Sequence, residues 1–418
     1  MISINEAIAI IKANLPAPRV EEQPLLQAVG RTLVDDIQAP EPSPRYTNSA
    51  MDGYAVRWED VCDLTPERPV RLTVIGESRA GVPLATGPHP SPLPGGEGAS
   101  LPDPPQVGEG QAVLISTGAM LPAGADTVVR VEDTEGDGQT VVIKAAKRQG
   151  QDVRYRGEEF AAGALLLVPG SRLSAPQLAL LASVGVERLR VFAPCRVALL
   201  VTGSELVATG AAIESHQIRD SNTVMLQAAI GEVGAELVSC QRVVDDLQAT
   251  VAAIAATTAD LILCAGGVSV GPHDHVKAAA EASGFAPLFW RVRQKPGKPL
   301  YCAKKGDTLL FGLPGNPVSA FMCFTHYLRP LIAALAGQPF QWPMMEVQAV
   351  EDIANPGRRP NMVRVRWAAS PSFPHGIRSF AGQGSHMLTS LADAAGYLLL
   401  EPGQTVLAGD RIRMCLFG

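Results

Sequence analysis

The chain has 418 residues, 46% hydrophobic and only 5% aromatic, and 35 lysines and arginines against 41 acids leave a formal net charge of −6. At roughly 100–200 residues per domain this is two to four domains with cores of their own, which excludes a stapled mini-protein and a chain disordered throughout. An acidic balance with no Lys/Arg run argues against nucleic-acid backbone as the main partner, and leaves open a small-molecule or nucleotide substrate handled locally.

Ser3-x-x-Glu6 is a capping box ahead of Ile4, Ile8, Ile11 and Leu15, a spacing that predicts an amphipathic helix stopping before Pro16. Short β-like runs at 70–75, 112–115, 127–131 and 140–143 predict a β-rich module over 45–144. Inside it, 8 prolines and 7 glycines make up half of 81–110, which reads as an inserted mobile loop. Residues 1–44 and 145–189, the latter with Arg148, Arg154, Arg156 and a helix-like run at 175–183, are expected to form a discontinuous N-terminal linker domain.

From 190 to 336 strands (197–201, 236–244, 261–264, 288–292, 308–311) alternate with helices (222–231, 247–257, 275–283, 317–336). Continuous apolar strands alternating with helices predict a parallel sheet covered on both faces. Residues 337–418 return to short β runs at 345–350, 362–367, 396–400 and 411–416, a small C-terminal β-domain. The seven cysteines, 62, 195, 240, 264, 302, 323 and 415, contain no C-x-x-C pair and read as thiols in a reducing compartment. No apolar run approaches the ~18 residues of a membrane span and the first residues do not resemble a leader, so a cytoplasmic location is expected.

In an open α/β sheet ligands bind beyond the carboxyl ends of the strands. The segments there are T-G-S-E (202–205), Asp245-Asp246, G-G-V-S-V-G (266–271) with Asp274, K-P-G-K-P (295–299) and G-L-P-G-N-P-V-S (312–319). Gly266, Gly267, Ser269 and Gly271 let backbone N–H groups approach a phosphate, although a tight strand-to-helix connection would use the same glycines. The segment is neither a G-x-S-x-G elbow nor a Walker A loop. Lys295 and Lys298 flank a Pro-Gly turn that either aims two point charges at an anion or is a solvated surface turn. Pro314, Gly315, Asn316, Pro317 and Ser319 form a turn opening a helix, with Pro317 at its first position. Glu205, Asp245, Asp246 and Asp274 gather at the same loops, and carboxylates beside a phosphate need a divalent cation between them, so Mg²⁺ is expected at Glu205, Asp245 and Asp274. His273 and His275 flank Asp274, and a zinc pair is disfavoured there against a helix cap by Asp274. Asp52, beside Gly53, reads by itself as a loop residue accepting backbone hydrogen bonds.

N-S-A-M-D-G-Y-A (48–55), S-T-G-A (116–119), R-G-E (156–158), T-G-x-E-L (202–206), Q-I-x-D-S-N (217–222), G-G-V-S-V-G, K-P-G-K-P, G-L-P-G-N-P-V-S-A (312–320) and G-Q-G-S (382–385) stand in an order that resembles the molybdopterin molybdenumtransferases, the MoeA-type enzymes related to the gephyrin E-domain. The resemblance covers nearly the whole chain outside 81–110. It implies a multidomain α/β and β fold: a three-layer α/β/α domain of molybdopterin-binding type with a mostly parallel sheet, a β-rich barrel-like module, a mixed linker domain and a C-terminal β-domain. It also implies a homodimer whose cleft joins the α/β domain of one protomer to the β-module of the other, bringing Asp52 and Thr117 to the site.

The implied reaction inserts molybdenum from molybdate into adenylylated molybdopterin and releases AMP. Glu205 and Asp274 would hold Mg²⁺ at the pyrophosphate, Lys295, Lys298 and backbone N–H groups of 266–271 and 315–318 would neutralise phosphate and molybdate oxygens, and Ser385 would line the ligand site. Asp52 and Thr117 would orient the attacking oxygen. The chain departs from the family pattern at Tyr46-Thr47 (commonly Phe-Asp), Glu159 (commonly Asp), Ser204 (commonly Asp) and Arg219 (commonly Tyr). Two other readings are a molybdopterin adenylyltransferase, against which the modules 45–144 and 337–418 speak, and a gephyrin-like scaffold that binds a protein partner without catalysis. Partners implied are the adenylyltransferase and downstream cofactor-processing proteins.

Overall fold

The computed structural model describes residues 1–65, 67–82, 106–268, 275–368 and 373–417. The chain divides into two compact units, Met1–Asp35 with Pro169–Ala179 and Glu187–Gly418, and Asp36–Val168 with Leu180–Val186.

The first unit is built on a six-stranded sheet in the order Glu236–Val243, Arg196–Thr202, Leu261–Ala265, Thr308–Leu313, Tyr301–Lys305 and Ala286–Trp290. The first four strands run parallel, and Tyr301–Lys305 runs antiparallel to both of its neighbours, Thr308–Leu313 and Ala286–Trp290. The central strands are apolar throughout because both faces are covered. Val197, Leu199 and Val201 point to one side, where Ile4, Ala7 and Ile11 of the helix Ile4–Ala13 and the buried face of 317–335 pack. Ala198 and Leu200 point to the other, against Ile254, Val276, Ala279 and Ala280. The two-residue period of a strand thus fills two cores at once and makes three layers.

The capping box forms as read: Ser3 Oγ accepts from Glu6 N at 3.2 Å and Glu6 Oε2 accepts from Ser3 N at 2.7 Å. The strand Tyr301–Lys305 escaped the sequence reading, since its two terminal lysines hide that Tyr301, Cys302 and Ala303 are fully buried. The helix expected over 317–336 is interrupted: Pro317–Cys323 and Arg329–Leu335 are α-helical and Phe324–Leu328 is a π turn. Pro330 has no N–H to offer the carbonyl of His326 four residues back, and that carbonyl instead accepts the Trp342 indole N–H at 2.9 Å. Contrary to the sequence expectation, Pro317–Leu335 is long and apolar enough to cross a membrane, but 78% of it is buried inside the fold, as befits a core helix.

The C-terminal strands Met344–Ala349, Gly376–Ser379, Asn361–Trp367, Gly396–Leu400 and Arg411–Leu416 close into a barrel in that order, around Val347, Val363, Val365, Ile377, Leu398 and Met414. Burial pushes the thiols of Cys195, Cys264 and Cys323 up to about 12, so they stay protonated and inert.

The second unit carries a six-stranded mixed sheet in the order Thr127–Arg130, Gly53–Val56, Gln111–Ile115, Val70–Ser78, Thr140–Ile143 and Thr134–Gly136. Most of the Pro/Gly-rich insertion lies outside the described residues.

Candidate active site

A cavity of about 700 Å³ in the first unit opens beyond the carboxyl ends of the parallel strands. Its wall takes Thr202, Gly203, Glu205, Asp245, Gly266 and Gly267 from the strand-end loops, and Pro314, Gly315, Asn316, Pro317 and Ser319 from the turn that opens the core helix. Nine residues proposed from sequence therefore share one wall. Its size is that of a site for a drug-sized or nucleotide-sized ligand.

The glycines are there for space. Gly266 sits at φ +96, and a Cβ on it would lie 2.6 Å from Thr202 O. Gly266→Ala is expected to lower stability by about 1–3 kcal/mol, read as a shifted urea midpoint; an unchanged midpoint would contradict the packing described. Thr202 Oγ1 lies beside this turn, buried and without a hydrogen-bond partner among the described residues.

The acids separate into two kinds. Asp246 caps the helix Leu247–Ala255, accepting from Ala249 N at 2.8 Å, and is not part of the cavity wall. Asp245 lines the cavity, and its Oδ2 accepts from both N and Oγ of Ser204 at 2.7 Å. An aspartate at 204 would set two carboxylates against each other, whereas the serine holds Asp245 by two hydrogen bonds. Glu159, the other acidic departure, accepts from Ser43 Oγ at 2.7 Å. Among the described residues no group of three His, Cys, Asp or Glu converges as a metal site. Glu205 and Asp245 remain as two oxygen donors on one wall, which fits a cation such as Mg²⁺, commonly held by one or two carboxylates together with substrate phosphate. Ser269, Gly271, His273 and Asp274 lie outside the described residues.

The turn 312–319 behaves as read, with Asn316 ahead of the helix and Pro317 in its first turn. The expectation that N–H groups of 315–318 face a ligand needs correction. Pro317 has none, and Val318 N donates to Ser385 O at 3.2 Å, leaving Gly315 and Asn316. That bond docks the G-Q-G-S loop on the helix, and it is the next residue, His386, that lines the cavity. Lys295 and Lys298 are exposed, and their turn contributes Pro299 to the wall. Asp220, Ser221 and Asn222 also line it, with Asn222 Nδ2 donating to Gly315 O at 2.7 Å. His386 carried no sequence signal of its own beyond standing next to Ser385 of the G-Q-G-S motif, whereas Thr202 opens the T-G-x-E-L motif without having been singled out.

In the second unit Asp52 and Thr117 meet. Asp52 precedes the strand Gly53–Val56, Thr117 follows Gln111–Ile115, and the pairing of Gly53 with Ile115 brings both to one sheet end. Asp52 Oδ1 accepts from Thr117 N at 2.7 Å, and both residues are exposed.

Comparison with known proteins covers the whole chain. Residues 2–185 match the family described as MoeA N-terminal region (domain I and II), 198–334 the "probable molybdopterin binding domain", and 346–417 the MoeA C-terminal region (domain IV). The chain is 32% identical to the molybdopterin molybdenumtransferase of Haemophilus influenzae, covering 99% of this chain and 98% of that one. It is 33% identical to molybdopterin molybdenumtransferase 2 of Mycobacterium tuberculosis, covering 99% of each. Among solved structures, a molybdopterin biosynthesis MoeA protein of Pyrococcus horikoshii superposes with a TM-score of 0.80 at 28% identity, covering 100% of this chain and 99% of that one. With the strand-end cavity, the closed C-terminal barrel and end-to-end matches in agreement, the chain belongs to the MoeA family of molybdopterin molybdenumtransferases.

Proposed function

We propose that this chain is a transferase of molybdenum-cofactor biosynthesis that inserts molybdenum, taken from molybdate, into adenylylated molybdopterin, with cleavage of the phosphoanhydride and release of AMP. The observation that carries the reading is that two carboxylates and two glycine-bearing turns share the wall of one strand-end cavity. A phosphoanhydride needs such a mixture: close backbone approach, fixed positive charge and a cation-holding acid.

Glu205 and Asp245, with Asp274, would hold Mg²⁺, which when bound neutralises phosphate charge. Gly266, Gly267 and the N–H groups of Gly315 and Asn316 would cradle the ligand's anionic end, and Ser269, Gly271, Ser319 and Ser385 are proposed to contribute to its binding. Lys295 and Lys298 supply positive charge to phosphate and molybdate oxygens. Asp52 and Thr117 come from the partner subunit of a homodimer and orient the attacking molybdate oxygen or water. Little covalent work is asked of the chain, so positioning and electrostatics dominate. Seven free thiols suit a reducing cytoplasm, and we expect neither nucleic acid nor membrane as a partner. The adenylyltransferase that supplies the substrate and proteins that accept the product are the expected protein partners.

The test is direct. The purified chain with adenylylated molybdopterin, molybdate and Mg²⁺ should release AMP, and removal of Mg²⁺ by a chelator should stop it. No AMP under these conditions, or full turnover by a strictly monomeric form, would overturn the reading. ATP-dependent adenylylation of molybdopterin would favour the adenylyltransferase instead.

A further inference from the structure

Gln294 is fully buried immediately before the K-P-G-K-P turn, and its amide is bonded at both ends. Nε2 donates to Gly297 O at 3.0 Å and approaches Cys323 Sγ at 3.5 Å, while Oε1 accepts the Tyr327 hydroxyl. Tyr327 belongs to the π turn Phe324–Leu328 of the core helix. Gly297 stands at φ +83, where a Cβ would strike Cys323 Sγ and Gln294 Nε2, so the turn is pressed onto that helix.

The barrel grips the same turn from another side. Lys295 N donates to Pro360 O at 2.8 Å, Met362 N donates to Lys295 O at 2.8 Å, and Arg359 Nη1 donates to Gln294 O at 2.9 Å. The lysine side chains, in contrast, are exposed and make no hydrogen bond or ion pair among the described residues. Where their charges reach is therefore set by the backbone of the turn.

We infer that Gln294, held by Tyr327, is a positioning residue that fixes the K-P-G-K-P turn so that the Lys295 and Lys298 ammonium groups meet the anhydride; this rests on the reading of the site given above. A polar group buried at zero exposure and satisfied at both ends by the turn and the helix is an expensive way to fill a core. An apolar pair would serve packing as well, but it would take the amide's 3.0 Å hold from Gly297 O and leave that carbonyl to the longer 3.3 Å bond from Leu300 N.

That difference supplies the experiment. The full-length chain, with Mg²⁺ present, is titrated calorimetrically with inorganic pyrophosphate and its melting temperature recorded, for the unmodified protein, Gln294→Leu, Tyr327→Phe, the double variant and Lys295→Ala/Lys298→Ala. The lysine variant should lose pyrophosphate binding. Gln294→Leu should melt lower and bind about tenfold more weakly, in line with the sensitivity of such sites to displacements on the order of an ångström. Adding Tyr327→Phe removes the stranded hydroxyl, so stability should recover while binding stays weak. Should Gln294→Leu fail to fold, Tyr327→Phe alone should still weaken binding severalfold. Binding that recovers together with stability makes the amide merely structural and overturns the inference, as does unchanged binding in the single variants or no pyrophosphate binding by the unmodified chain. Because AMP release is measured separately, failure of the molybdenum-insertion reading leaves a different signature: pyrophosphate binding that responds as described, without turnover.

Discussion

Asp52→Asn and Glu205→Ala, each still folded, are expected to reduce molybdate-dependent AMP release by about 10²–10³-fold or more, the loss typical of removing one preorganised electrostatic group. The two substitutions probe different things. Asp52→Asn keeps an oxygen for the Thr117 N–H, which Asp52 accepts at 2.7 Å, so the loop geometry survives and only the charge is lost. Glu205→Ala removes a carboxylate from the cavity wall while leaving Asp245 tied to Ser204. Melting temperatures should stay near that of the unmodified protein, because both side chains are exposed. Added Mg²⁺ should partly restore the Glu205→Ala variant if the loss is one of cation affinity, and should do nothing for Asp52→Asn. Turnover near the original rate in both variants would refute the assignment of these acids.

The α/β layer was legible because its signal is physical and local: a strand covered on both sides must be apolar at every position, as 197–201 and 261–264 are. What failed was the antiparallel edge. Ala286–Trp290 starts two residues earlier than its run suggested, and Tyr301–Lys305 has a half-polar sequence whose burial depends on neighbours far along the chain. The break in the core helix was carried by one residue, Pro330, whose consequence is visible only once Trp342 is seen to take the orphaned carbonyl of His326.

Residues around the site were legible to the extent that the strand-end rule applies. It put Glu205, Asp245, Gly266, Gly267, Pro314, Gly315, Asn316, Pro317 and Ser319 in one region, and they do line one cavity. It could not separate Asp245 from Asp246, because which of two adjacent carboxylates caps a helix depends on where the helix starts. Nor could it reveal that Val318 N is engaged by Ser385 O, a bond between segments more than sixty residues apart. His386 reaches the cavity through that same bond. Long-range hydrogen bonds leave no periodicity in a sequence, so the local pattern had nothing to say about them.

Stability should fall as pH drops from 6.5 to about 4, with His326 as one identifiable source. Its ring is buried in the π turn between Tyr327 and Trp342, Nδ1 pairs with the Tyr397 hydroxyl at 2.6 Å, and Nε2 has no partner among the described residues. Desolvation disfavours the imidazolium and pushes its pKa down from 6.5 to about 4. Below 6.5 the unfolded chain takes up a proton that the folded chain refuses, so stability rises with pH across this window and is level above it. The full loss by pH 4 is about 3 kcal/mol from this group. Carboxylates titrate at the lower end of the same range, so the measurement is the difference between the unmodified protein and His326→Asn, whose amide oxygen can take the place of Nδ1 opposite Tyr397. Urea midpoints across the window should show the variant less stable at neutral pH yet flatter on acidification, the two curves converging toward pH 4. Parallel curves would mean that His326 is protonated in the fold, with some acceptor reached by Nε2, and the buried neutral imidazole would have to be abandoned.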